Sequence, residues 1–171
     1  MYDLIGDIHG HAGALKKLLA RMEYEEIDGV WRLPSRQVIF LGDFVDRGPE
    51  QVETVRIAKS MVEAGSALAV MGNHEFNAIA WATPDPDVAG EYLRPHSDKN
   101  RRQHQAYLDQ VGEGSDLHHE HIEWFRSLPL FLDLEGLRVV HACWHQSSFD
   151  ALAGHLDEAG RVHRGAWVKL T

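Results

Sequence analysis

Gly42-Asp43-Phe44-Val45-Asp46-Arg47-Gly48 follows directly on the apolar run Val38-Ile39-Phe40-Leu41. Four consecutive apolar residues that stop at Gly-Asp read as a buried strand whose carboxyl end delivers a carboxylate into a turn. Pro49, with its fixed φ, is expected at the first position of a helix over residues 49–64. Val52, Val55, Ala58 and Val62 form the apolar stripe of that helix, and Gly65 ends it. The layout recurs on both sides. Upstream, Tyr2-Asp3-Leu4-Ile5 runs into Gly6-Asp7-Ile8-His9-Gly10; downstream, Ala67-Leu68-Ala69-Val70-Met71 runs into Gly72-Asn73-His74-Glu75. Three strands therefore end in Gly plus a hard oxygen donor, and two of the turns add a histidine. Residues 12–22 carry Leu15, Leu18, Leu19 and Met22 at helical spacing, so residues 2–71 read strand-helix-strand-helix-strand, two right-handed crossovers of a parallel sheet.

Around this frame the pattern is less regular. Residues 23–36 are polar and turn-rich, with Trp31 and Leu33 as anchors. A helix is expected over 75–81, then a break at Thr83-Pro84-Asp85-Pro86-Asp87 and another at Pro95, making residues 83–100 an insertion or lid loop. Helices over 101–110 and 118–127 follow, with Ile122, Trp124, Phe125 and Phe131 assigned to the core. Residues 130–134 and 137–141 read as a hairpin about Glu135-Gly136, and residues 166–170 as a last short strand. The whole of 1–171 is expected to be one domain.

Composition narrows the function classes. The chain has 171 residues, 44% of them apolar and 25% charged, as in an ordinary globular protein with a real core. With 17 basic and 26 acidic residues the formal net charge is −9, which argues against non-specific binding of nucleic acid or acidic membrane. A phosphorylated substrate stays open, because a bound metal reverses the local field. Cys143, the one cysteine, permits no internal disulfide; it reads as a small buried hydrophobe. The N-terminus lacks a basic region followed by an apolar run, and no stretch approaches the roughly 20 apolar residues that span a bilayer. A cytoplasmic location and no membrane partner are expected; oligomeric state is open.

Asp7, His9, Asp43, Asn73 and His141 are hard oxygen and imidazole donors, each just beyond a strand. Such a set suits two divalent ions, with manganese the first choice and iron, zinc or magnesium the alternatives. Two ions about 3.5–4 Å apart acidify a shared water and hold a phosphoryl oxygen each. Asp43, on the central strand, is placed to bridge them.

The three turns taken together, with Val139-Val140-His141-Ala142 as a fourth block, resemble the signature of the calcineurin-like metallophosphoesterases over roughly residues 1 to 145. The Asp46-Arg47-Gly48 extension points to the phosphoprotein phosphatase branch, which also contains bacterial diadenosine tetraphosphate hydrolases. The resemblance implies an α/β fold, a β-sandwich flanked by helices. It implies that Asp7 and His9 bind one metal, Asn73 and His141 the other, with Asp43 shared. A water activated by both ions would attack phosphorus in line, without a covalent phosphoenzyme. His74 would protonate the leaving oxygen and Asp46 orient its imidazole, while Arg47 and Asn73 would bind the phosphate.

The sequence departs from the family in two places. Cys143-Trp144 stands where a Gly is usual, and the downstream Gly-His block that completes the second metal has no good counterpart. Gly154-His155-Leu156 is nearest, His163 next. A C-terminally truncated version of a longer protein accounts for both the missing block and the short chain. Substrates expected are a phosphorylated protein, as for a Ser/Thr phosphatase, or a dinucleoside polyphosphate. From another class comes a non-catalytic metal- and phosphate-binding module. His118, His119 and His121 are read as a solvated helix face, and His145 as an unliganded strand histidine. Arg94, His96, Lys99, Arg101 and Arg102 read either as a solvated loop or as a substrate-phosphate contact.

Overall fold

The computed structural model describes residues 1–170. Its centre is a three-stranded parallel sheet in the order β1 (Tyr2–Ile5), β4 (Gln37–Phe40), β5 (Ala67–Ala69). Helices α1 (Ala12–Arg21) and α2 (Gln51–Glu63) make the two crossovers, as the apolar spacing predicts. Strand β4 shows why its sequence is apolar throughout. Val38 and Phe40 face the main core beneath the helices, whereas Ile39 faces the other way into a second cluster with Val70 and Val139. A strand covered on both faces loses the polar alternation of a half-exposed one.

The second face is covered by a hairpin of β6 (Phe131–Leu134) and β7 (Leu137–Val140), paired antiparallel from Phe131↔Val140 to Leu134↔Leu137. Leu132, Leu134, Leu137 and Val139 pack from it onto Ile39 and Val70. This is a small sandwich, three strands against two, flanked by helices, and the mixed α/β class is as expected. The hairpin does not reach β1, whose Tyr2 and Leu4 are 39% and 51% exposed.

Helix α3 (Asn73–Ala82) starts at the third turn itself, two residues earlier than expected. Helices α4 (Asp98–Val111) and α5 (Asp116–Arg126) pack over the same end of the sheet. The breaker-rich segment is shorter than the expected insertion and ends at Ser97, whose Oγ caps α4 by accepting the Asn100 N–H. It turns back on itself through a bridge between Pro84 and Tyr92. No helix is long and apolar enough to cross a membrane among the described residues.

Several expectations are corrected. Residues 23–36 contain a further hairpin, β2 (Glu25–Ile27) with β3 (Val30–Arg32). Pro49 precedes α2 rather than opening it: the helix begins at Gln51 with Glu50 as its N-cap, and the Pro49 carbonyl accepts from the Gln110 side-chain amide (2.9 Å). No last strand forms: Arg164–Ala166 is a 3-10 turn and Trp167–Leu170 is helical. Ala166 and Trp167 are both buried, and two adjacent inward residues do not fit the alternation of a strand. Cys143 is exposed rather than buried. His145 lies past the end of β7, at the residue before the short helix α6 (Gln146–Leu152), with its Nδ1 2.8 Å from Ser148 Oγ.

The largest revision concerns α5. His118 and His121, three apart and hence on one face, point inward and are only 3% exposed; His119 alone stays outside. Their rings pack against Tyr107 of α4, with centroids 5.8 and 6.0 Å away. Burial pulls both imidazoles down from 6.5 to about 4. The unfolded chain takes up these protons near pH 6.5 and the folded chain only near 4, so stability falls as pH drops through that window. A His121→Phe variant should lose up to one proton of this dependence, measured as the slope of urea-unfolding free energy against pH between 6.5 and 4. An unchanged slope would mean that His121 is not buried neutral.

Candidate functional site

All three turns converge at the carboxyl edge of the sheet, and their backbones interlock. His9 N–H donates to Asp43 C=O (2.9 Å), Gly10 N–H to Phe44 C=O (2.8 Å), and Gly48 N–H to His9 C=O (2.8 Å). A Cβ on Gly72 would lie 2.2 Å from Asp43 Oδ1 and 2.4 Å from Asp43 N, so only glycine lets the second and third turns meet. Asp7, His9, Asp43, Asp46 and Arg47 all have positive φ, between 45° and 72°. For non-glycine residues this costs on the order of 1–3 kcal/mol each and persists only where surroundings over-determine it. Five such residues within two turns mark the site before any chemistry is considered.

Buried side chains hold the turns in place. Glu75, in the first turn of α3, accepts N–H bonds from Asp43 (2.8 Å), Phe44 (2.8 Å) and Gly72 (3.0 Å). Burial pushes its carboxyl above the ordinary range, and the Asp43 charge adds to this. Gln51 ties the other loop, accepting from Asp46 N–H (2.7 Å) and donating to Gly48 C=O (2.6 Å). Neither role was readable from the sequence, although Glu75 stands in the quoted block.

Within this frame the expected donors come together. His9 donates its Nδ1–H to Val45 C=O (3.0 Å), and His141 donates its own to Leu41 C=O (2.7 Å). Each therefore presents an unprotonated Nε2, the arrangement that prepares an imidazole for a metal. Both Nε2 atoms lie 3.6 Å from Asp43 Oδ2, and the Asp7 carboxylate is 3.8 Å from that of His9. Asn73 Oδ1 is 3.0 Å from His141 Nε2. His9 Nε2 is buried without a hydrogen-bond partner, an orphaned acceptor that a cation satisfies. The donor set fits divalent metal. Among the described residues, His9, Asp43 and His74 bring one ligand atom each to within 4.8 Å of one another. His155 and His163 are joined to each other by a backbone bond, His163 N–H donating to the His155 carbonyl (2.9 Å).

His74 is held from the far side. Its Nδ1 is 2.5 Å from Asp46 Oδ2, while its Nε2 points back toward Asp43 Oδ2 at 4.0 Å. The Asp46 bond raises the imidazole above its ordinary value. Asp46 itself is 2% exposed; burial works against its charge, but bonds from His104 and His74 hold it below the usual carboxylate range. His104 is the residue sequence reasoning missed. Fully buried on α4, it donates Nδ1–H to Asp46 Oδ1 at 2.7 Å, so two imidazoles share one carboxylate. The signal that could have found it is helical spacing: His104, Tyr107, Leu108 and Val111 form the buried stripe of α4.

Arg47 is exposed and lines, with Asp46, Asn73 and His74, a cleft of about 710 Å³. Arg94 and Arg102 of the expected basic concentration line it too. Other members of that group do structural work. His96 stacks between Trp81 and Tyr92 with centroids 3.7 and 4.1 Å away, and Arg101 lies 5.1 Å over Trp81 while pairing with Glu113.

A parallel sheet gathering aspartate, asparagine and histidine at its carboxyl edge defines a metal-dependent phosphoesterase framework. The chain belongs to the calcineurin-like phosphoesterase family, whose model matches residues 2–166. It is 26% identical over 91% of its length to the asymmetrical bis(5'-nucleosyl)-tetraphosphatase PrpE of Oceanobacillus iheyensis, covering 60% of that protein. It is 31% identical over 81% of its length to the symmetrical bis(5'-nucleosyl)-tetraphosphatase of Vibrio cholerae, covering 43% of it. The chain thus spans about half the length of these relatives. The fold also matches a cold-active protein-tyrosine phosphatase of a psychrophilic Shewanella, with TM-score 0.58 and 20% identity over 89% of this chain and 44% of that one.

Proposed function

We propose that this chain is the phosphoesterase core of a metal-dependent hydrolase that acts on phosphoanhydrides of the dinucleoside polyphosphate class. The observation that carries the reading is the His74–Asp46 pair at 2.5 Å, with His74 set against the His9 and Asp43 donors. A protein that only binds phosphate has no need of an acid with its own orienting carboxylate. Asp7, His9, Asp43, Asn73 and His141 would hold two divalent ions, manganese first among the candidates, which supply a polarised phosphoryl oxygen and an acidified water.

The chain's own residues do the rest. Arg47 places its planar guanidinium fork on non-bridging phosphate oxygens, and Asn73 donates its amide to the same group. His74, protonated because Asp46 stabilises the imidazolium, gives its Nε2 proton to the leaving oxygen. Asp46 keeps that ring in place, and His104 keeps Asp46 in place. A Ser/Thr phosphatase would use the same groups. The tetraphosphatase relatives favour the polyphosphate reading, as does the concentration of guanidinium groups in the cleft.

Elemental analysis of protein purified with manganese, paired with p-nitrophenyl phosphate turnover, tests the reading. Two metals per chain with turnover is the expected result. One metal or none, without turnover, would favour the alternative from another class, a metal- and phosphate-binding module.

A further inference from the structure

The cleft over His74 has more positive charge than one phosphate can use. On the reacting side stands Arg47, immediately after Asp46. The same cleft is lined by Arg94, from the segment between α3 and α4, and by Arg102, from the first turns of α4. Six of the twelve arginines, Arg36, Arg56, Arg101, Arg126, Arg138 and Arg164, are ion-paired; the other six, these three with Arg21, Arg32 and Arg161, have no carboxylate within 4.0 Å among the described residues. Half of the unpaired arginines thus line one cleft, a local concentration of positive charge in a chain of net charge −9 that is open to an anion. Two acids line the cleft as well, Asp46, held by two imidazoles, and Asp109, which keeps its charge while accepting from the Gln105 amide, so the three guanidinium groups leave the cleft net positive.

Arg94 is also pre-positioned. Its N–H donates to Ala80 C=O (3.1 Å) and the Leu93 N–H to Thr83 C=O (3.0 Å), so the segment is laid back along the end of α3. The His96 ring, wedged between Trp81 and Tyr92, donates Nε2–H to Trp81 C=O (2.9 Å) and clamps the chain two residues further on. Half-buried, Arg94 donates Nη2–H to Gln103 Oε1 (2.9 Å), a neutral acceptor that orients the fork without neutralising it. A charge partly desolvated and fixed by neutral groups gains more from an anion than one waving in water.

We propose that Arg94 and Arg102 form a second anion subsite beside the reacting phosphoryl group, selecting substrates that carry a chain of phosphoryl groups over simple monoesters. This rests on the reading of the cleft as the reaction site. Arg47 and the metal donors already serve the reacting phosphate; Arg94 and Arg102 have work only if further phosphates extend from it. Two further guanidinium forks lining the same cleft suit the successive oxygens of a polyphosphate chain.

Calorimetric titration of manganese-loaded protein with inorganic tripolyphosphate and with orthophosphate tests this without requiring turnover. In an Arg94→Gln, Arg102→Gln variant, tripolyphosphate affinity should fall 10- to 100-fold. Orthophosphate affinity should fall at least tenfold less. The ratio of kcat/KM for diadenosine tetraphosphate over p-nitrophenyl phosphate should drop at least tenfold in parallel. Arg102→Gln alone, at an exposed position, guards against misfolding and should weaken tripolyphosphate three- to tenfold. Equal losses for both anions, or none, would overturn the subsite. Tripolyphosphate binding that needs both arginines in a protein that hydrolyses nothing would support the subsite and overturn the hydrolase reading.

Discussion

Replacing His74 with Asn is expected to lower kcat by about 10²–10⁴-fold for substrates whose leaving oxygen needs a proton. The loss should be much smaller for p-nitrophenyl phosphate, whose leaving group departs as a stabilised anion. This contrast separates an acid from a residue that merely shapes the site. It follows from geometry: Nδ1 is committed to Asp46 at 2.5 Å, so the proton available to a substrate is the one on Nε2. The pH profile gives a second test. The Asp46 bond raises the imidazole above 6.5, so the active, protonated form persists above that pH. Activity should fall only as pH rises through the raised value. Asp46→Asn removes the charge that raises it, so the alkaline limb should move down toward 6.5 while the maximum rate also falls. If His74→Asn costs less than about threefold on every substrate, general acid catalysis by this residue is excluded.

The extent to which this arrangement was legible depends on what kind of signal each residue carries. Asp7, His9, Asp43, Asn73 and His74 stand where an apolar run stops at glycine, and a strand end is a local feature. His141 follows β7 in the same way, and the hairpin that carries it was readable from Glu135-Gly136. His104 has no such local mark. Helical spacing marks it as inward-facing, but it reaches Asp46 across 58 positions of chain because α4 folds over the sheet edge, and that contact has no local signal. His118 and His121 were misread because histidine on a charged helix looks solvated, whereas the α5 face they share with Ile122 and Phe125 packs on Tyr107. The C-terminal strand failed for a related reason. A short apolar run fits either period, and the burial of adjacent Ala166 and Trp167 decided for helix.

A Glu75→Ala variant is expected to lose on the order of 3–5 kcal/mol of folding stability, more than any single active-site truncation. Three buried N–H groups, on Asp43, Phe44 and Gly72, have this carboxylate as their acceptor, and each buried donor left unsatisfied costs about 1–3 kcal/mol. Water entering the vacated space would recover part of that, which is why the expected loss lies below the plain sum. Against a typical total of about 5–15 kcal/mol, the variant should melt roughly 10 °C or more below the parent. Glu75→Gln should fall between the two. Its one oxygen can serve Asp43 and Gly72 as Oε2 does, but its amide would meet the Phe44 N–H donor to donor. The order parent, Gln, Ala in melting temperature is therefore the signature of three accepted bonds rather than of lost volume. A melting temperature within 2 °C of the parent for the alanine variant would mean the turns hold themselves. Manganese affinity should follow the same order. Asp43 sits at positive φ in the turn that Glu75 secures, and a relaxed turn has no reason to aim its carboxylate between His9 and His141.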